Sequence, residues 1–263
     1  MQSLVSTIGA PWMTNVMLLG TRIAAVLLMT PVLYAVRMPL LVRVLFVLSL
    51  ACAMALPFAG GSVVPMQDAG ALVQALMHEA AIGGILGLGI LLAFAGFALA
   101  GRLVDVQIGF GIAQVLDPLT RARLPVLSAL FGLLAALFFF LEDGPHALLR
   151  GIAFSIERFP PGHAASPAQA VDAVVRQGSG LFALGFSLAA PIVLGLLLVE
   201  CVLAVIARNL PQMNMLVLGI PVKVLVGLFA LAIWVTGFGT PARRLYDGIA
   251  QAWSAWFATG GAR

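Results

Sequence analysis

The 263 residues are 62% hydrophobic and only 9% charged, whereas a soluble domain is about 45–50% apolar and about 25% charged. With a mean hydropathy of +1.11, most of the outer face must meet lipid or other protein, which excludes an ordinary soluble globule. The formal net charge of +4 comes from thirteen Arg and one Lys, scattered singly or in pairs, so there is no electrostatic footprint for nucleic acid.

A membrane-crossing helix needs about 20 mainly apolar residues. Six apolar runs qualify as candidates, at 16–36, 44–57, 80–101, 124–141, 181–207 and 215–235. The second is short and pairs with the first across Arg37–Arg43 as a helical hairpin. No alternating strand pattern appears, so the fold class is all-α, a polytopic membrane-protein helical bundle forming a single helical domain over 1–263. The N-terminal run lacks a preceding basic segment and is too long for a signal peptide, which predicts that it stays on the mature protein.

Lys and Arg in short loops ordinarily set orientation. Here the two sides tie at six each, which argues against a simple serpentine. The third run carries Gly83, Gly84, Gly87, Gly89, Gly96 and Gly101. Its small-xxx-small step from Gly83 to Gly87 predicts a helix packed against protein, with a flexible gating helix as the alternative.

Ser166-Pro167 reads as a helix start, with Val171, Val174 and Val175 on one face leading into the fifth run. In the amphipathic C-terminal tail 241–263, Leu245, Ile249, Trp253, Trp256 and Phe257 share another face. That face suits a membrane surface, a docked partner or packing within the chain.

Arg22, Glu200 and Lys223 lie within apolar runs, where a charge costs about 2.5–3.5 kcal/mol at a helix centre. They need partners or water. Either Glu200 pairs with Arg22 or Lys223 to fix helix register, or the three charges serve a proton, ion or small-molecule pathway. Catalytic templates fail: His78-Glu79 lacks the second histidine of a zinc motif because position 82 is Ile. Gly178-Ser179-Gly180 follows Gln177, so it is not a nucleophile elbow. Cys52 and Cys201 read as small apolar side chains, and three dispersed histidines make no metal cluster. The residues therefore predict no enzyme, no cofactor and no metal.

What stands out is a set of polar breaks between apolar runs, where non-helical backbone is tolerated only against protein or water. One runs from Gln107-Ile108-Gly109 to Asp117-Pro118, and another is Pro211-Gln212-Met213-Asn214 before Gly219-Ile220-Pro221-Val222-Lys223. With Arg22…Thr30-Pro31…Pro39-Leu40-Leu41-Val42-Arg43, Glu79 to Gly87, and Asp143-Gly144-Pro145-His146 through Phe159-Pro160-Pro161-Gly162, five pieces stand in order over most of the chain. In these pieces the sequence resembles the FliR/SctT family, export-gate proteins of flagellar and type III secretion systems. Pro211, Gln212, Asn214, Gly219 and Pro221 carry the most specific piece, and Gly219 with Val224 resembles the flagellar branch. Pro145 before His146, and Met215-Leu216, depart from the family pattern.

The resemblance implies a spiral export-gate assembly of helical hairpins in the bacterial inner membrane. One copy of this chain would stand with several FliP-like and FliQ-like subunits. The assembly would meet an FlhB/SctU-like switch protein and an FlhA/SctV-like platform, and pass unfolded protein substrates driven by the proton-motive force and an associated ATPase. It also implies that 107–123 is a plug closing the channel. Gly109 and Gly111 would shape its backbone, Phe110, Ile112, Val115 and Leu116 would fill the lumen, and Asp117-Pro118 would stop helix formation. The plain alternative is a cytoplasmic turn carrying Arg121 and Arg123.

Overall fold

The computed structural model describes residues 2–31, 39–58, 68–110, 126–163, 167–210, 212 and 215–260. Among these are α1 (Gln2–Met29), α2 (Leu40–Ala55, continued by a 3-10 turn at Leu56–Phe58), α3 (Ala69–Ile108) and α4 (Val126–Leu141). They are followed by α5 (Gly144–Arg158), α6 (Pro167–Asn209), α7 (Met215–Val235) and α8 (Gly239–Gly260). No strand occurs among the described residues.

Five helices are long and apolar enough to cross a membrane, or six if Val126–Leu141 and Gly144–Arg158 form one broken span. The break falls at Asp143, whose φ of 54° is left-handed. The fold is thus an all-α bundle of a multi-pass membrane protein.

Helix ends differ from the apolar runs for local reasons. The second run is not short: Arg43 lies in the first turn of α2, and the apolar helix reaches 19 residues over Leu40–Phe58. The third begins well before residue 80, because 69–79 is rich in strong helix formers. Asp68 caps it by accepting the backbone N–H groups of Gly70 and Ala71 at 3.0 and 3.1 Å. The first run ends early, at Met29, since the residue before Pro31 is driven from helical geometry. Position 166 lies outside the described residues, but α6 does begin at Pro167 and continues unbroken through Gly178 and Gly180.

The chain divides into two compact units, the first Met1–Leu92, Asp143–Gly178 and Gly248–Arg263, the second Ala93–Glu142 and Ser179–Asp247. Leu18, Leu19, Ile23 and Val26 of α1 and Ile82, Leu86 and Ile90 of α3 form the core of the first unit. Gly83 and Gly87 explain how these helices meet. A Cβ on Gly83 would stand 2.2 Å from the Arg22 carbonyl oxygen, and one on Gly87 would stand 2.8 Å from Met29 Cβ. Backbone therefore lies on backbone, as the small-residue step predicts.

Of the α8 face, Ile249, Trp253, Trp256 and Phe257 are buried in the first unit. Trp253 sits over Gly151, where a Cβ would come within 2.3 Å of the indole. Arg158 Nε donates to the Phe257 carbonyl at 2.9 Å, and Phe159 stacks on Trp256 at 5.3 Å. Packing within the chain, not a membrane surface, is what this face serves.

An aromatic cluster fills the second unit. Phe238 lies 5.8 Å from Phe97 and 5.7 Å from Phe131, and Tyr246 lies 5.8 Å from Phe139. Such ring pairs add about 0.5–1.5 kcal/mol each beyond burial. The Tyr246 hydroxyl donates to the Ala135 carbonyl at 2.6 Å, and burial holds this phenol protonated well above its ordinary range.

Candidate functional site

Arg22, from the C-terminal third of α1, is fully buried in the first unit, and its partner is Glu79. In the sequence Glu79 stands in the incomplete His78-Glu79 motif and opens the Glu79-to-Gly87 piece, with nothing to mark it as the partner of Arg22. Arg22 Nε donates to Glu79 Oε2 at 2.6 Å. Its Nη1 donates to the Ser155 carbonyl at 3.0 Å and to Ser155 Oγ at 3.3 Å, and its Nη2 donates to the Phe159 carbonyl at 2.8 Å. Glu79 Oε1 accepts the Gly162 backbone N–H at 3.0 Å. Gly162 reaches this position with a φ of 82°, a left-handed conformation that favours glycine.

One ion pair thus joins α1, α3 and the C-terminal end of α5. A buried pair is stable only when its remaining donors and acceptors are met, and here the fork and both carboxylate oxygens are engaged. Gly83 stands one turn beyond Glu79, so the close helix contact and the ion pair occupy the same place. A charge held by so many fixed groups is poorly suited to load and release an ion, which weighs against a permease using Arg22.

Glu200 of α6 and Lys223 of α7 pair in the second unit, which is one of the two pairings the sequence allows. Unlike Arg22, these side chains remain 38% and 25% exposed. An ammonium and a carboxylate at this exposure within apolar helices need a polar neighbour or water beyond the chain itself. Lys223→Met leaves the Glu200 carboxylate unpaired, with an expected loss of about 2.5–3.5 kcal/mol. The amount of chain retained in membranes should fall for Lys223→Met and recover when Glu200→Gln is added.

Gly109 and Phe110 are the plug candidates within the described residues. Gly109 ends α3 with a φ of 98°, its N–H donating to the Asp105 and Val106 carbonyls at 3.2 Å each. This is the left-handed C-terminal cap for which glycine is preferred. Gly111, Ile112, Val115, Leu116, Asp117 and Pro118 lie outside the described residues. Of the motif before Lys223, Pro211 and Asn214 also lie outside them, and Gln212 is an exposed turn residue. Gly219 is buried in α7, where a Cβ would make ordinary contact with Leu203 at 3.7 Å. Pro221 stands inside the same helix.

The family model described as "Bacterial export proteins, family 1" matches residues 13–249. The flagellar biosynthetic protein FliR of Bacillus subtilis is 30% identical over 172 residues, covering 64% of this chain and 66% of that protein. FliR of Pectobacterium carotovorum is 32% identical over 161 residues, covering 61% and 62%. The Yop proteins translocation protein T of Yersinia pestis is 28% identical over 169 residues, covering 64% and 65%. The chain therefore aligns with just under two thirds of the length of these relatives. The family match runs through every helix that carries the Arg22–Glu79 and Glu200–Lys223 pairs, and the chain belongs to the bacterial export proteins, family 1.

Proposed function

We propose that this chain is a non-enzymatic subunit of a protein-export gate, in the inner membrane of a bacterium with a flagellar or related type III secretion system. The family match over 13–249 carries the reading, since the relatives are named for flagellar biosynthesis and for translocation of Yop proteins. Exposed apolar surface supports an assembly: only 11% of the α2 span and 17% of the α6 and α7 spans are buried by the chain itself. FliP-like and FliQ-like subunits, with lipid, cover these faces, and one copy of this chain joins them. On the cytoplasmic side the assembly meets an FlhB/SctU-like switch protein and an FlhA/SctV-like platform and receives unfolded protein substrates. The test is export itself: cells lacking the chain should secrete no filament or needle protein, and the chain supplied in trans should restore secretion. Normal secretion without it would overturn the reading.

The channel before export is closed by 109–118, whose Phe110, Ile112, Val115 and Leu116 supply apolar bulk. Shortening 109–116 should leave the complex assembled and make the membrane permeable to ions or small solutes. A conductance or solute-uptake assay decides between plug and plain turn. An assembled complex with no added leak would mean that this segment is not the seal.

A further inference from the structure

The two ion pairs among the apolar helices are completed to different degrees. Arg22 and Glu79 find every partner within the chain. Lys223 carries three N–H donors, and among the described residues only Glu200 Oε1 accepts from it, while Glu200 Oε2 accepts no hydrogen bond. Both side chains keep part of their surface open, 25% for Lys223 and 38% for Glu200.

Their place in the second unit accounts for the shortfall. A Cβ on Gly227 of α7 would stand 2.6 Å from Ile108, the last residue of α3, and 3.5 Å from Leu196 of α6, so three helices meet in this layer. Glu200 lies one turn past Leu196, and Lys223 lies one turn before Gly227 on the antiparallel helix. The pair therefore stands just beyond the end of α3. No residue of α6 over 197–209 is buried, and Leu198 and Val202 beside Glu200 are 70% and 58% exposed. Interfacial water is distant as well. The 21 residues of α7 rise about 31 Å, and Lys223 lies about 12 Å from the Met215 end. Lipid tails offer neither donor nor acceptor at that depth, so the remaining groups need protein.

We propose that Glu200 and Lys223 are one half of a four-charge cluster between subunits. The other half is an acid–base pair of opposite sense on a membrane-spanning helix of a neighbouring subunit. Its carboxylate takes the remaining Lys223 N–H groups, and its cation donates to Glu200 Oε2. A pair suits the site better than a lone charge, because the cluster then stays neutral within an apolar layer. Facing like charges disfavours a wrong partner, so the sense of the pair sets the depth and direction in which the neighbour docks. This rests on the reading of the chain as one subunit of a larger assembly.

The test is the amount of neighbouring subunits retained per chain when the tagged full complex is extracted in detergent. Wild type is compared with Glu200→Lys/Lys223→Glu, which keeps the internal pair and reverses its sense, and with Glu200→Gln/Lys223→Met, which removes both charges. The swapped chain should stay in the membrane yet retain at least about tenfold less of its neighbours, because like charges now face each other. The neutral chain should fall between it and wild type. Wild-type retention by the swapped chain would mean that the pair is satisfied by itself or by water. A neutral chain equal to wild type, or no better than the swapped one, would mean that no charged neighbour reads the sense of the pair. Loss of the swapped chain from the membrane would make the pair a requirement of the chain's own fold. Each of these results overturns the proposal. Wild-type chain extracted without any neighbour would overturn the reading as a gate subunit, and the proposal with it.

Discussion

Replacing Arg22 by alanine should remove nearly all folded chain from the membrane. The substitution leaves the Glu79 carboxylate fully buried with only the Gly162 N–H to meet it, strips the Phe159 carbonyl of its Arg22 donor and leaves the Ser155 carbonyl with the Phe159 N–H alone. Breaking a buried pair by deleting one partner costs about 3–5 kcal/mol, which is a large part of the about 5–15 kcal/mol that holds a typical domain folded. Glu79→Ala should be comparably damaging, since it leaves the guanidinium uncompensated. The double variant Arg22→Met/Glu79→Leu should lose less than the sum of the single variants, because no unpaired charge remains. Chain abundance in membranes and the melting temperature of the purified complex read this out. Wild-type abundance of Arg22→Ala would show that the pair is incidental to folding.

Gly83→Val should be the second severe change, and even Gly83→Ala should be felt. The Cβ would stand 2.2 Å from the Arg22 carbonyl oxygen and 2.9 Å from Ala25 Cβ, so α1 and α3 must part. Overpacking of this kind costs about 1–3 kcal/mol and sometimes more, and here the parting also lengthens the Arg22–Glu79 contact one turn away. Gly132 is the comparison: nothing stands within 4 Å of a Cβ built there, so Gly132→Ala should be silent or slightly stabilising through helix propensity. Equal abundance of Gly83→Val and Gly132→Ala would contradict the close helix contact.

The lipid-scale features were legible in the sequence because they are local. Apolar runs located α1 to α4, α6 and α7 but not α5, which lies in none of them, and the Gly83–Gly87 step identified a helix face that meets protein. Helix ends were less legible, because a count of apolar residues stops at Arg43 or Glu79 whereas helical geometry does not. Strong helix formers before residue 80 extend α3, and Leu40-Leu41-Val42 extend α2 to a full span. The destination of the α8 face was open, since burial against Gly151 and Phe159 looks the same in sequence as burial in a membrane surface.

Charge partners were the least legible part. Glu200 and Lys223 belong to consecutive helices, so their pairing was one of the readings open from the sequence. Glu79 lies 57 residues from Arg22, and no spacing rule connects them. Ser155 offers no sequence signal, because its carbonyl as well as its hydroxyl does the work. Asp105 was hidden for the same reason, since its carboxylate accepts the backbone N–H groups of Leu127 and Ser128 in α4 at 3.0 and 2.8 Å.

Native mass spectrometry of detergent-extracted complexes shows whether this chain is one part of a larger export gate. Co-expressed with FliP-like and FliQ-like subunits from the same system, the chain should appear in one monodisperse assembly containing a single copy of it, and expressed alone it should be degraded or aggregated. A folded, monodisperse monomer without those subunits, or their assembly without this chain bound, would contradict the account.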